Sequence, residues 1–376
     1  MTRPADDKSP ADSDKAGDTV RVMIVDDSLT VRTIFKRMVE GDQAMTIVGT
    51  ASSAERAIML LKSDPADVIL LDLEMPGMGG LEALPEILKI ATDAQVLVVS
   101  SLTQDGAEHT MSALSMGAAE TMLKPAPGGF NDEYREQLLG KIRALGGIGG
   151  DVPEASEVEA AAAEPKAAKT ISAPAKQRPE VLAIGASTGG IHALNQVLRD
   201  LPPEFDLPIL ITQHLPPSFI PVFARQVEMA SGRRTNIAEE GSEIRAGEVS
   251  IATGHGHMVV HRSRGRLFAK TSSAPTHSGC MPSVDPMLTS LTEACEGRVL
   301  AVILSGMGRD GSIGAKTLKE AGGSVFAQDA ETSAVWGMPG AVAKAGTASL
   351  VAPPTELREA ILVHAGLVKA DGATWK

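Results

Sequence analysis

The feature that most constrains this chain is a repeated unit: a short apolar run that stops at a small or polar residue, then an amphipathic stretch of helical period. It first occurs at Arg21–Val25 followed by Leu29–Glu40, where Val31, Ile34, Phe35 and Met38 share one helical face. Met45–Gly49 then precedes Ala54–Lys62, and Asp67–Asp72 precedes Gly80–Ile90. Gln95–Ser100 precedes a helix near Ala107–Met116, and Glu120–Leu123 precedes Asp132–Leu145. Strands with two apolar faces need helices on both sides, so the pattern predicts an α/β fold with an open, doubly wound parallel sheet. Its site is expected at the carboxyl ends of the strands.

The pattern restarts at Val181. Strands are predicted at Val181–Ile184, Pro208–Thr212, Val299–Leu304 and Gly323–Ala327. Helices are predicted over His192–Leu198, Ser218–Ala230, Pro286–Cys295, Ser312–Ala321 and Thr355–Val368. Between Thr235 and Lys270 shorter β segments predict a hairpin or meander beside the main sheet. The chain therefore reads as two doubly wound parallel-sheet domains, 20–150 and 180–376. A polar tail, 1–19, precedes them and is expected to be disordered. A linker at 151–179, rich in Ala, Pro, Glu and Lys, is expected to separate them and to be mobile.

The 376 residues suffice for two such domains, and 43% hydrophobic content fills their cores with Ala, Val, Leu, Ile and Met rather than aromatics, which are 3%. A formal charge of -12 argues against nucleic acid or an anionic membrane as partner. Cys280 and Cys295 are too few for a disulfide framework or a four-ligand zinc site. With no signal peptide and no apolar run of membrane length, a cytoplasmic protein with no direct membrane insertion is expected.

The strand ends of the first domain carry Asp26 and Asp27, then Asp72, Ser100 and Lys124. Three carboxylates brought together repel unless a divalent cation and a lysine offset them, and hard oxygen ligands suit Mg²⁺. A carboxylate beside Mg²⁺ and an ammonium can accept a phosphoryl group. Solvated turn aspartates would explain any one of these positions, but not the set. Ile24-Val-Asp-Asp-Ser28, Asp72-Leu-Glu-Met-Pro-Gly-Met-Gly-Gly80 and Leu123-Lys-Pro125 resemble the receiver domain of two-component response regulators, whose fold is flavodoxin-like. The resemblance implies that Asp72 is the phosphoacceptor, with Asp26 and Asp27 as the acidic pair. It implies Mg²⁺ held by Asp27, Asp72 and the Glu74 carbonyl, Lys124 on the phosphoryl oxygens, and Ser100 as the switching hydroxyl. Thr121 stands where that family usually has an aromatic switch residue.

In the second domain, Gly185-Ala-Ser-Thr-Gly-Gly190 forms a tight turn between strand and helix. Ser187 is there either a helix cap or a nucleophile beside a helix N-terminus. Two further residues follow strands in the same way. His214 ends the run from Pro208, and Asp310 lies in the glycine turn after Leu304. Converging strand ends would set them as nucleophile, base and orienter, with the Met307 and Thr188 N–H groups as an oxyanion hole. Three other readings compete. Gly185-Ala-Ser-Thr-Gly189 also fits G-x-S-x-G, with His364 following the acid in chain order, although His364 belongs to a helical run and is expected on its surface. Gly306-Met-Gly-Arg-Asp-Gly311, with Asp329 after the next strand, fits a dinucleotide fingerprint, although Asp310 would put a negative charge in the pyrophosphate cradle. His255 and His257 are spaced like a metal pair, with Cys280 their one tempting companion. His192 is expected at the cleft rim.

Ile184-Gly-Ala-Ser-Thr-Gly-Gly190, Gln213-His214, Pro282-Ser-Val-Asp285, Ser305-Gly-Met-Gly-Arg-Asp-Gly311, Gln328-Asp329 and Gly337-Met-Pro339 resemble the catalytic domain of the chemotaxis-type protein-glutamate methylesterases. The resemblance implies a Rossmann-like serine-esterase domain with the triad Ser187, His214 and Asp310, Met307 near the oxyanion, and no metal at that site. It further implies glutamate 5-methyl esters on chemoreceptors as substrate, deamidation of receptor glutamines, and a chemotaxis histidine kinase as phosphodonor. A monomer is expected. Cys280-Met281 and Pro286-Met287 depart from the family pattern around Pro282–Asp285.

Overall fold

A computed structural model describes residues 19–100, 104–125, 128–148 and 178–368. The expected tail before residue 19 and the linker over 151–177 lie outside the described residues.

In the first domain the elements follow the predicted alternation: β1 (Val20–Val25), α1 (Leu29–Glu40), β2 (Met45–Ala51), α2 (Ala54–Leu61), β3 (Val68–Asp72), α3 (Gly80–Ile90), β4 (Gln95–Ser100), α4 (Gln104–Met116), β5 (Glu120–Leu123) and α5 (Asp132–Leu145). The five strands pair in parallel in the order β2-β1-β3-β4-β5, the flavodoxin-like winding. Every residue of β3 is buried, as helices on both faces require. Ser28, Ser53 and Asn131 cap α1, α2 and α5 through their side-chain oxygens, which fixes where those helices start.

The second domain contains β6 (Val181–Ala186), α6 (Gly190–Leu198), β7 (Ile209–Gln213), α7 (Ile220–Ser231), β8 (Thr235–Ala238), β9 (Glu243–Ile244), β10 (Val249–Ala252), β11 (His257–Ser263) and β12 (Arg266–Ser272). It continues with α8 (Val284–Ala294), β13 (Val299–Ile303), α9 (Ser312–Glu320), β14 (Ser324–Gln328), α10 (Met338–Lys344), β15 (Leu350–Ala352) and α11 (Pro354–His364). Seven strands form a parallel sheet in the order β15-β14-β13-β6-β7-β10-β8. The winding reverses at β6, between β13 and β7, and a switch point of this kind opens a crevice at the strand ends.

The region 235–270 departs from the expectation. Its segments do not all lie beside the sheet: β8 and β10 extend the main sheet in parallel, and only β9, β11 and β12 make a separate antiparallel sheet. All four residues of β10 are buried, so both of its faces need cover, which a place in the main sheet gives it. His364 is also placed differently. Its ring stands edge-on to Phe326 with centroids 4.9 Å apart and is buried beneath α11 rather than exposed on its surface.

The two domains touch. Helix α4 packs on α6 and α7, and the apolar cluster beneath α4 runs without a break into Ile191, Ala193 and Leu194.

Candidate functional site

The candidate esterase centre grows from three adjacent strands. Ala186 pairs with Gln213, so the residues that follow, Ser187 and His214, leave neighbouring strands side by side. The pairing is extended past the strands by the His214 N–H, which donates to the Ala186 carbonyl at 3.1 Å. On the other side the Ser187 N–H donates to the Ser305 carbonyl at 3.0 Å, tying the serine to the turn that follows β13. That turn lies so close that a Cβ on Gly306 would sit 2.8 Å from the Ser187 Cβ, so only glycine fits there. Gly189, at φ 73°, turns the chain into α6 with the carbonyl of Thr188 held by the Ser305 hydroxyl at 2.7 Å.

His214 Nε2 lies 2.8 Å from Asp310 Oδ2. Asp310 is buried and its carboxylate is fully engaged: the Ser283 hydroxyl donates to Oδ1 at 2.6 Å and the Val284 N–H to Oδ2 at 2.7 Å. Burial favours its neutral form, but His214, Ser283 and Val284 outweigh that and hold the carboxyl below the usual range. Neighbouring Asp285 is pushed up, by burial first and by the Asp310 charge, with the Gly314 N–H opposing. For His214 burial pushes the imidazole down, yet the Asp310 carboxylate and the Cys280 thiol together lift it to about 9.

Ser187 is half-buried, and its hydroxyl donates to no group among the described residues. The N–H groups of Thr188 and Met307 are likewise free of hydrogen bonds among the described residues. Thr188 is buried, whereas Met307 is 49% exposed.

The rival sequence readings do not assemble. Ser187 is not among the non-glycine residues with positive φ, so the strained elbow of G-x-S-x-G is not formed, and His364 Nδ1 sits on the Ala360 carbonyl within its own helix. Asp310 points inward to His214, and Asp329 caps its own loop through the Thr332 N–H, so no dinucleotide cradle forms. His255 is exposed, while His257 accepts from the Ser283 N–H at 3.0 Å and meets the Ala274 carbonyl at 2.9 Å. With both ring nitrogens spoken for, His257 braces Ser283, which in turn braces Asp310. Its burial was not legible from the Gly254-His-Gly-His spacing.

The receiver-type site is equally well defined. Asp26, Asp27 and Asp72 each bring an oxygen within 4.8 Å of the others. Lys124 Nζ lies 2.6 Å from Asp72 Oδ2 and 2.8 Å from Asp26 Oδ2, the second as an ion pair without hydrogen-bond geometry. Burial raises the Asp72 carboxyl above its ordinary value, with Lys124 and the Glu74 N–H opposing. Glu74 is exposed in the loop after β3. This compact set of hard oxygens around a buried aspartate fits Mg²⁺. Ser100, fully buried, accepts a hydrogen bond from the Thr110 hydroxyl on α4 at 2.8 Å. Thr121 is buried with its hydroxyl unpaired.

The contacts that join the domains fall beside Ser187. Thr188 Oγ1 donates to Glu120 Oε2, and the Gly189 N–H donates to the Ala119 carbonyl at 2.5 Å. His192 Nδ1 meets the Ser115 carbonyl at 3.0 Å, the Asn195 amide donates to the Ser115 hydroxyl, and that hydroxyl donates to Gln226 at 2.7 Å. A cavity of about 240 Å³ remains in this seam, lined by Gly117, Ala119, Gly189, His192 and Gln328 among others. His192, expected at the rim, is thus a domain contact.

Residues 22–129 match the family model described as the response regulator receiver domain, and residues 182–361 match that of CheB methylesterase. A protein-glutamate methylesterase/protein-glutamine glutaminase of Rhodospirillum rubrum is 39% identical over 94% of this chain and 97% of its own length. One of the same description from Azospirillum brasilense is 39% identical over 91% of each chain. Another, from Caulobacter vibrioides, is 40% identical over 89% of this chain and 95% of its own. With likeness of this extent falling on both domains, the chain belongs to the CheB methylesterase family and carries a response regulator receiver domain ahead of the methylesterase domain.

Proposed function

We propose that the chain is a phosphorylation-controlled serine esterase that hydrolyses glutamate 5-methyl esters on chemoreceptors to glutamate and methanol, and deamidates receptor glutamines, in chemotactic adaptation. The observation that carries the reading is the His214–Asp310 pair, 2.8 Å apart, at the end of the strand beside the one that leads into Ser187. Residues 180–376 serve as the catalytic module and 20–150 as its control, joined by the 151–179 linker. No helix among the described residues is long and apolar enough to cross a membrane. We take the protein to act from the cytoplasm, as a monomer, on the receptors' cytoplasmic helices.

In this reading Asp310 occupies Nε2 of His214, which leaves Nδ1 to take the Ser187 proton. Ser187 Oγ then attacks the ester carbonyl, and the free N–H groups of Thr188 and Met307 hold the oxyanion. Collapse expels methanol, protonated by His214; water activated by His214 then cleaves the acyl-enzyme and restores the free glutamate. From a glutamine side chain the same steps expel ammonia.

Asp72 takes the phosphoryl group from a chemotaxis histidine kinase. Asp26, Asp27, Asp72 and the Glu74 carbonyl would hold Mg²⁺, which when bound supplies charge neutralisation for phosphoryl transfer. Lys124, already on Asp72, meets the phosphoryl oxygens, and Ser100 turns toward them from Thr110. Helix α4 links Thr110 to Ser115 and so to the catalytic domain, which gives a route by which the receiver releases the Ser187 turn without an aromatic at 121. The test is methanol release from a methylated receptor fragment, with and without a small-molecule phosphodonor, for the wild type and Asp72→Asn. Stimulation confined to the wild type supports control through Asp72. Equal rates in all four conditions would exclude it.

A further inference from the structure

The esterase reading leaves Cys280 without a task. The residue lies in the loop before α8, partly exposed: its N–H donates to Ser278 Oγ at 3.3 Å, its thiol to the Ser278 carbonyl at 3.8 Å, and its carbonyl accepts from the Thr276 hydroxyl at 3.3 Å. Its sulfur, an imidazole nitrogen of His214 and an oxygen of Asp310 all lie within 4.8 Å of one another. Among the described residues the only other cluster of three such donors is the all-oxygen set of the receiver. The two differ in chemistry: the receiver set suits a hard cation, whereas thiolate, imidazole and carboxylate suit a softer one.

We propose that Cys280, His214 and Asp310 form a site for a thiophilic divalent cation, with Zn²⁺ as the reference ion, and that its occupancy silences the esterase. Tetrahedral zinc with these ligands sets its donor atoms about 3.3–3.6 Å apart. His214 Nε2 and Asp310 Oδ2, 2.8 Å apart, have to part by about half an ångström, and the Cys280 sulfur, within 4.8 Å of its partners, has to close by about 1.5 Å at most, a movement that the loop of Cys280 supplies. Asp310 is already oriented by the Ser283 hydroxyl and the Val284 N–H, as ligating carboxylates are in metal sites. Three protein ligands with one side toward solvent leave a fourth position for water.

Binding displaces the thiol proton of Cys280 and the proton held between His214 and Asp310, so it tightens as pH rises. Loss of activity follows because a neutral imidazole bound to the metal through Nε2 keeps its one proton on Nδ1, the nitrogen that has to accept the Ser187 proton. That inhibitory half rests on the proposed esterase function; the binding half does not.

The test uses the full-length protein in excess Mg²⁺, which occupies the acidic receiver site, with Co²⁺ as spectroscopic probe and Zn²⁺ as competitor. A thiolate-to-cobalt charge-transfer band is expected in the wild type and in Cys295→Ala, displaced by Zn²⁺, and absent in Cys280→Ala. Calorimetry should show Zn²⁺ affinity falling more than about tenfold in Cys280→Ala. Methanol release, each variant being compared with itself with and without Zn²⁺, should be inhibited in the wild type and insensitive in Cys280→Ala. No band in the wild type, or a band that survives in a folded Cys280→Ala variant, overturns the site. Equal Zn²⁺ inhibition of both variants overturns the inhibitory role. A Cys280-dependent band in a protein that releases no methanol upholds the site and instead refutes the esterase.

Discussion

Replacing Glu120 by alanine should unlatch the enzyme without phosphorylation. In the closed arrangement Glu120 accepts a hydrogen bond from Thr188, the residue after the nucleophile. A hydrogen bond to a charged acceptor contributes about 1.5–3 kcal/mol. Glu120 also meets Lys141 at 3.2 Å and the Thr121 N–H at 2.8 Å, but both partners belong to the receiver. Those contacts persist when the domains part, so their loss cancels between the closed and open states. What remains is the Thr188 contact, and with 1.4 kcal/mol per tenfold the open population should rise about 10- to 150-fold. The assay is methanol release from a methylated receptor fragment without phosphodonor. Basal turnover should climb by that factor, up to the ceiling set by the fully open enzyme, while the phosphorylated rates of wild type and Glu120→Ala converge. Glu120→Gln, which retains a neutral acceptor, should fall between them. An unchanged basal rate in a variant of normal melting temperature would refute the latch, as would a rise of equal size with and without phosphodonor.

Further expectations follow from the same geometry. His214, lifted to about 9, is the active base only when neutral, so kcat/KM should increase with pH toward that value. Removing the Cys280 thiol takes away one of the groups that lift it, so the acidic limb of the profile should move to lower pH in Cys280→Ala; a limb that stays put would contradict this. Because the folded value lies above the ordinary 6.5, the His214–Asp310 attraction stabilises the fold fully below about 6.5 and is lost as pH rises through about 9, a trend that wild type should show in melting temperature and His214→Ala should lack. His257→Ala leaves the buried Ser283 N–H without its acceptor and should cost about 1–3 kcal/mol in denaturant unfolding. Thr110→Val removes the partner of Ser100, so the unphosphorylated state should weaken and less phosphodonor should suffice for half-maximal activation.

The fold was largely legible because its strands are buried on both faces and stop abruptly at glycine, aspartate or histidine. That signal set β6, β7 and β13, and with them the relative places of Ser187, His214 and Asp310. It failed at 235–270, where strands of two to seven residues alternate and nothing local says which sheet each one joins. Helix α10 and the three-residue β15 went unread for a similar reason. The supporting groups were harder still. His257 and Ser283 act on Asp310 from loops far away in sequence, and Gly254-His-Gly-His resembles a metal pair more than a brace. Ser115 and Glu120 carry ordinary surface chemistry whose meaning comes only from the domain packed on them. His364 looked exposed because helical period alone does not show that Phe326 lies beneath α11.

If Ser187 and His214 perform the hydrolysis, removing either side chain has to abolish it. Methanol release from methylated receptor is followed for full-length Ser187→Ala and His214→Ala, each with a phosphodonor present so that the receiver is not limiting. Both single variants should lose turnover to a common residual level, because the pair acts as one unit. Release that continues at the wild-type rate in either correctly folded variant would contradict it.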